Sequence, residues 1–379
     1  MTLYVTKERV FGLDLMRAVA IAFVFLGHCL WIYSDVNGVI ASMFQVFAFL
    51  GVEIFFVLSG FLIGSILYRL YVEESFTTKT VLVFLKRRWF RTLPMYYLVL
   101  IINMVIAFFY ETWDANWWRY FLFLQNLNTA MLPFFPESWS LSVEEYSYLI
   151  LPCLLLIFGF LFKPKNRSLF FLMIIGLLIL LSFLARIWFH TTTNNTDIVI
   201  WNAHVKSVVI YRLDSIFIGV LCSWIAVHFK SYWIHYKNVF FAIGVFAIGF
   251  LFTGIGYFQI LIPTHPLFWN VFYLPLVSLS IAFFLPALSQ WKTFDSKLAK
   301  PITFISVISY SIYLLHYSII LQVMKNSFPI NPQNTMVLHL FTACYGLITI
   351  ALSYLTYRFF EKPIMNLRNK NKKFSFFLS

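Results

Sequence analysis

"GLDLMRAVAIAFVFLGHCLWIY", Gly12 to Tyr33, is long and apolar enough to cross a bilayer, for which a helix needs about 20 residues. Its polar residues are few: Asp14 and Arg17 lie near one end and His28 toward the other. Everything between Arg17 and His28 is apolar or small. Eleven positions at 100° each make three whole turns to within about 20°, so the two side chains share a face, about 16.5 Å apart along the axis. A permanent cation and an imidazole face lipid only at high cost, so this face lines a bundle interior or a wet cavity. Each residue also has a plain structural reading. Arg17 can snorkel or pair with Asp14, three residues upstream, and His28 can bond to a neighbouring helix as a buried polar group. Their common face favours a functional reading.

The rest of the chain repeats this pattern. Of 379 residues 61% are hydrophobic and 11% charged, which no soluble domain matches. Ten apolar stretches are long enough to span: roughly 12–33, 44–70, 93–110, 143–162, 168–189, 208–229, 238–262, 267–289, 302–324 and 336–360. The expected fold is an all-α polytopic membrane protein of about ten transmembrane helices, one domain over 1–379 with a short basic tail at 362–379. Lys7 and Arg9 precede an apolar run, as in a signal peptide. That run carries charges and lacks a clear small-residue cleavage site, so it reads as a retained first helix.

The net charge of +13 raises nucleic acid as a partner, but topology accounts for it. The N-terminal segment, the even-numbered loops and the tail hold 20 Lys or Arg, whereas the odd loops hold only Arg119 and Lys206. This asymmetry places both termini in the cytoplasm. No nucleic acid partner is expected, while anionic lipid head groups or an anionic cytoplasmic ligand stay open. Cys29, Cys153, Cys222 and Cys344 all lie in apolar runs and read as small hydrophobes, and no metal site is expected.

Two outer loops are long. The aromatic 111–142 reads as an interfacial helix anchored by Trp113, Trp117 and Trp118, or as a platform for a sugar-like ligand. The polar 190–207 contains a glycosylation pattern at Asn194-Asn195-Thr196. In "FLKRRWFRTLPMYY", Thr92 and Pro94 read as the start of the third helix, with Lys86, Arg87, Arg88 and Arg91 at its cytoplasmic mouth. That cluster fits the positive-inside rule, or phosphate binding by arginine's planar fork. In "PESWSLSVEEYSYLILP", Ser142 and Glu145 fit a capping box and Glu144 suits a helix N-terminus. Arg212 and Asp214 read as a local ion pair, Glu53 as a deep charge in need of a partner, and His316 as a further buried polar group. There is no Walker loop, HExxH or GxSxG elbow. The residues alone support a charged internal pathway, and leave an enzyme and a transporter both open.

Six motifs in order carry a resemblance across nearly the whole chain: Arg17-x10-His28, "FFVLSGFLI", Arg88-x-x-Arg91, "WSLSVEE", "SYSIYLLH" and "FEKP". Together they resemble the acyltransferase-3 family of integral membrane acyltransferases. The resemblance implies acyl transfer, commonly O-acetylation, from cytoplasmic acyl-CoA (acetyl-CoA) to a hydroxyl of a cell-envelope glycan or lipid-linked glycan precursor. The setting it implies is the bacterial inner membrane. Carried over, His28 takes the family's catalytic histidine and Glu144 the acidic position of the WSLSVE segment. Arg17 takes the paired basic residue, and Arg88 and Arg91 the motif implicated with the donor. Against the fused members of that family, the expectation is a form with no SGNH-type hydrolase domain after the last helix. That implies either a stand-alone form acting directly on its acceptor or a separate extracytoplasmic partner. A secondary transporter or exporter of an envelope intermediate is the alternative.

Overall fold

A computed structural model of the chain describes residues 9–33, 38–110, 115–195, 197–328 and 334–370, apart from the side chains of 368–370. Lys7, Trp113, Thr196 and the tail beyond residue 370 therefore lie outside the described residues. Within them the protein is all helix, with no strand. Nine helices among these residues are long and apolar enough to cross a membrane: α1 Phe11–Cys29, α2 Gly38–Glu73, α3 Thr78–Phe109, α4 Ser138–Phe162, α5 Arg167–Thr192, α7 Lys237–Tyr257, α8 Phe268–Gln290, α9 Ala299–Ser327 and α10 Thr335–Leu367. Large apolar side chains on the outer surfaces, such as Phe108, Phe160 and Phe246, face outward as lipid contact requires.

Between α5 and α7, the sixth expected span is a shorter helix, α6, Leu213–His228. Its 16 residues are about 24 Å long. It starts late because Val209–Tyr211 coils into a tight 3-10 turn. α6 sits at the centre of the bundle, with Ile216, Phe217 and Val220 buried. Glycines bring it against α2: a Cβ on Gly60 would collide with the Ile216 carbonyl, and one on Gly219 with the Val57 carbonyl. Such close backbone approach is how membrane helices gain contact where no water drives them together.

Two expected helix starts are wrong. The third helix begins at Thr78, capped by Thr77 in a reciprocal Thr77–Thr80 box. Pro94 lies inside it, and the whole basic run Lys86–Arg91 is helical. Thr92 caps nothing; its hydroxyl donates to Glu145 Oε1 of α4 at 2.6 Å. Proline is tolerated inside a membrane helix because neighbouring groups satisfy what it frees, so Pro94 did not mark a start. The fourth helix begins at Ser138, not near Ser142. Ser142 accepts from Gln125 Nε2 at 2.8 Å, and no Ser142–Glu145 capping box forms.

The ends of the bundle are tied by backbone. At one, Phe11 and Gly12 donate to Lys292 O and Trp291 O in the α8–α9 connection, at 3.0 and 2.9 Å. At the other, the later part of the α3–α4 connection folds inward. Trp117 and Trp118 open a short 3-10 turn, Trp117–Leu122. Beyond it, fully buried Asn126 donates to Trp139 O at 3.0 Å and to Ser207 O at 2.6 Å.

The deepest charges form two pairs, and neither is the expected Arg212–Asp214 pair. Arg212 pairs with Glu53 of α2, whose other oxygen lies 3.1 Å from Ser278 Oγ. Asp214 pairs with Arg186 of α5 at 2.7 Å. Arg212 has non-helical backbone and Asp214 sits on the first turn of α6, so they point to different neighbours.

Candidate active site

A cavity of about 100 Å³ opens between α1, α2, α3, α4 and α9, and four of the sequence-predicted residues line it: Arg17, Arg88, Arg91 and Glu144. Arg88 and Arg91 are one helical turn apart on α3, in a helix rather than in a loop, Arg88 partly buried and Arg91 at the exposed mouth of the cavity. The Arg88 guanidinium lies over the rings of Phe84 and Tyr148, at 5.9 and 5.7 Å. Tyr148 donates to Glu144 Oε2 at 3.0 Å and lies 2.7 Å from Ser59 Oγ, which fixes the carboxylate across the cavity. Among the described residues, Arg88 and Arg91 make no ion pair and no side-chain hydrogen bond.

Arg17 does not close on Asp14 as a simple anchor would. The Asp14 carboxylate is held by Arg9, at 2.6 and 2.8 Å, and by Ser306 at 2.9 Å. Arg17 stands farther off, at 3.6 Å from Asp14 and 3.4 Å from Ser306. Three guanidinium groups therefore face one lining carboxylate, an excess positive charge in a confined space. This suits a multiply charged anion, for which arginine gives planar, paired hydrogen bonds.

His28 lies farther along α1, outside the cavity lining. The structure places it against His316 of α9, with His316 Nε2 3.1 Å from His28 Nδ1 and the rings edge to face. Tyr317 stacks obliquely on His28 at 4.7 Å. His316 opens a π-helical turn, His316–Leu321, and such turns in α-helices commonly mark functional positions.

Tyr313 joins the two halves. Its ring lines the arginine cavity and lies 6.0 Å from His316. Its hydroxyl is 2.6 Å from Ser140 Oγ and donates to Glu137 O at 3.0 Å. Buried Glu137 accepts from Ser318 N and Oγ, at 3.0 and 2.6 Å, inside the π-turn. Lys206, one of two basic residues of the odd loops, extends over the Trp139 ring at 5.7 Å. Burial, then the Arg212 charge, draw its ammonium down to about 8, against the pull of Glu53.

The sequence did not reveal Tyr148, Tyr313 or Glu137, although each lies in a quoted motif. Nothing in a helical periodicity says which polar residue meets which neighbour. His316 was visible as a buried histidine, its partner was not.

A family model described as an acyltransferase domain matches residues 10–358. The chain belongs to the acyltransferase-3 family. It is 27% identical to O-acetyltransferase OatA of Staphylococcus aureus over 93% of this chain and 57% of the relative. It is 27% identical to peptidoglycan O-acetyltransferase OatA of Listeria monocytogenes over 83% of this chain and 51% of that protein. A Bacillus subtilis relative, named a putative peptidoglycan O-acetyltransferase, is 26% identical over 93% and 54%. The chain thus spans about half the length of the curated relatives it matches. No solved structure matches. As a family member with nine apolar helices among its described residues, the chain is a multi-pass membrane protein.

Proposed function

We propose that this protein is a membrane O-acetyltransferase of the bacterial cytoplasmic membrane. It moves an acetyl group from cytoplasmic acetyl-CoA to a hydroxyl of a cell-envelope glycan such as peptidoglycan or its lipid-linked precursor. One observation carries the reading: an arginine cavity with excess positive charge shares α1 with a paired histidine farther along the same helix. Acetyl-CoA has matching polarity, with phosphates at one end, a neutral arm, and a thioester at the other.

Arg88, Arg91 and Arg17 hold the phosphates, and the neutral arm runs past Tyr313 toward His28. There the neutral His28 imidazole takes the acceptor hydroxyl proton as its oxygen attacks the thioester carbon. The C–S bond breaks, and His28 returns that proton to the departing thiolate. General base work of this kind supplies roughly 10²–10⁴ in rate. Glu144 sets the geometry of the donor cavity through Tyr148 and keeps the arginine charge from exceeding what the phosphates neutralise. The basic end of the bundle faces the cytoplasm and the His28 end faces outward.

The test uses purified protein in liposomes with radiolabelled acetyl-CoA and a crude glycan acceptor. Label moving to the glycan, with alkali-labile ester chemistry, is expected. Glycan crossing the membrane unlabelled would establish a transporter instead.

A further inference from the structure

The hydrogen bonds around the two histidines determine which ring nitrogens carry protons. His316 Nδ1 faces two carbonyl oxygens, Tyr313 O at 2.8 Å and Ile312 O at 3.1 Å. A nitrogen between two acceptors is a donor, so His316 carries its hydrogen on Nδ1, and its Nε2 is a bare lone pair. That lone pair faces His28 Nδ1 at 3.1 Å, and His28 Nδ1 also lies 2.8 Å from Val24 O. His28 Nδ1 is therefore a donor whose one hydrogen is shared between Val24 O and His316 Nε2, and His28 Nε2 is left bare. His316 is fully buried, whereas His28 is only partly so. Of the two rings, His28 alone can meet a ligand.

We infer that His316 is a positioning residue that accepts the His28 Nδ1 hydrogen, presents His28 Nε2 as the reacting base, and shares the positive charge His28 acquires during transfer. The inference rests on the reading of His28 as the base and adds a role for its partner. When His28 Nε2 takes the hydroxyl proton, the ring becomes an imidazolium and its Nδ1 hydrogen more acidic. The bond to His316 Nε2 strengthens, and charge spreads over two rings. When Nε2 gives its proton to the thiolate, both rings return to neutral, and no proton is gained or lost.

The π-turn makes this meeting of rings possible. A π-turn inserts an extra residue into the helical repeat and rotates the side chains beyond it. Glu137 fastens it by taking Ser318 N and Oγ on one oxygen. The titratable or charged groups around the pair are Cys29 on α1, Tyr313 and Tyr317 on α9, Tyr345 on α10, Glu137 before α4 and Lys206 before α6. Glu137 is engaged by Ser318. The charge of Lys206 reaches His28, which makes dispersal of an imidazolium charge more valuable.

The experiment uses the full chain in lipid nanodiscs with 15N-labelled histidine rings, the His28 signals being those lost in His28→Gln. At neutral pH, His28 is expected with Nδ1 protonated and Nε2 bare. In acid, the pair should take up one proton well before a second, since two cations cannot sit 3.1 Å apart. In parallel, His316→Ala should lower kcat roughly ten- to a hundredfold, the weight of one hydrogen bond to a charged group. The KM values for acetyl-CoA and acceptor should be unchanged. His316→Gln should recover most of the loss, because its amide oxygen accepts from Nδ1. A hydrogen on His28 Nε2, or two independent titrations, overturns the inference whether or not the protein transfers acetyl groups. Unchanged kcat in His316→Ala also overturns it. A correct tautomer in a protein that transfers nothing would count against the functional reading alone.

Discussion

Two sets of arginines differ in this protein, one buried in the bundle and one lining a cavity at its edge. Arg186 and Arg212 are fully buried, and each has a carboxylate from another helix, Asp214 and Glu53. Arg88 and Arg91 have none among the described residues, and Arg17 shares one that Arg9 already holds more closely. The first set is expensive to place in a membrane. The first is neutralised by the fold and ties α5 to α6 and the start of α6 to α2. The second is the set that the proposed function assigns to the donor's phosphates. The difference teaches that burial and pairing go together here: the arginines without a carboxylate of their own are the ones open to a cavity.

The largest expected effect lies outside both sets. His28→Ala should lose transfer by roughly 10²–10⁴ while keeping its melting temperature and coenzyme A affinity, since His28 lines no part of the arginine cavity. Measuring transfer, affinity and melting on one preparation checks this, and an active His28→Gln would count against a basic role.

Next come the paired arginines. Removing Glu53 or Arg212 alone strands a buried charge, which costs about 3–5 kcal/mol. Thermal unfolding in detergent should show the loss in either single variant. Glu53→Leu combined with Arg212→Leu should recover part of it, because no unpaired charge remains.

A smaller effect, of a different kind, is expected of the unpaired set. Arg88→Ala or Arg91→Ala should weaken acetyl-CoA binding by about 1.5–3 kcal/mol, ten- to a hundredfold. Arg88→Lys should rescue only in part, since lysine keeps the charge without the fork. The smallest is Thr92→Val, which removes one inter-helix bond to Glu145. Such bonds in membranes average about 0.6 kcal/mol, with a maximum of about 1.7, and the loss should appear in melting.

The sequence showed the membrane class and nine of the ten expected spans, because apolar length is a local property; the sixth is a shorter helix among the described residues. Three of the five candidate site residues, Arg17, Arg88 and Arg91, line one cavity, whereas Glu144, grouped with His28 as a catalytic candidate in the sequence, lines that cavity instead. What failed depended on partners from distant helices. Ser142 and Glu145 have the spacing of a capping box, yet Gln125 and Thr92 claim them. Arg212 and Asp214 are two residues apart, yet Glu53 and Arg186 are their partners. In both cases a local pattern matched a rule, and a buried group from far along the chain offered more. The π-turn at His316 has no sequence signature at all.

The most direct test of the account measures acetyl-CoA affinity and melting temperature side by side for two variants: the Arg88→Ala, Arg91→Ala double change and Arg212→Ala. The account predicts a crossed result. The double variant should lose at least tenfold in affinity and melt like the parent, whereas Arg212→Ala should melt far lower and, where still folded, bind the donor with parental affinity. A double variant that binds acetyl-CoA as tightly as the parent would contradict the account, leaving those arginines as markers of topology.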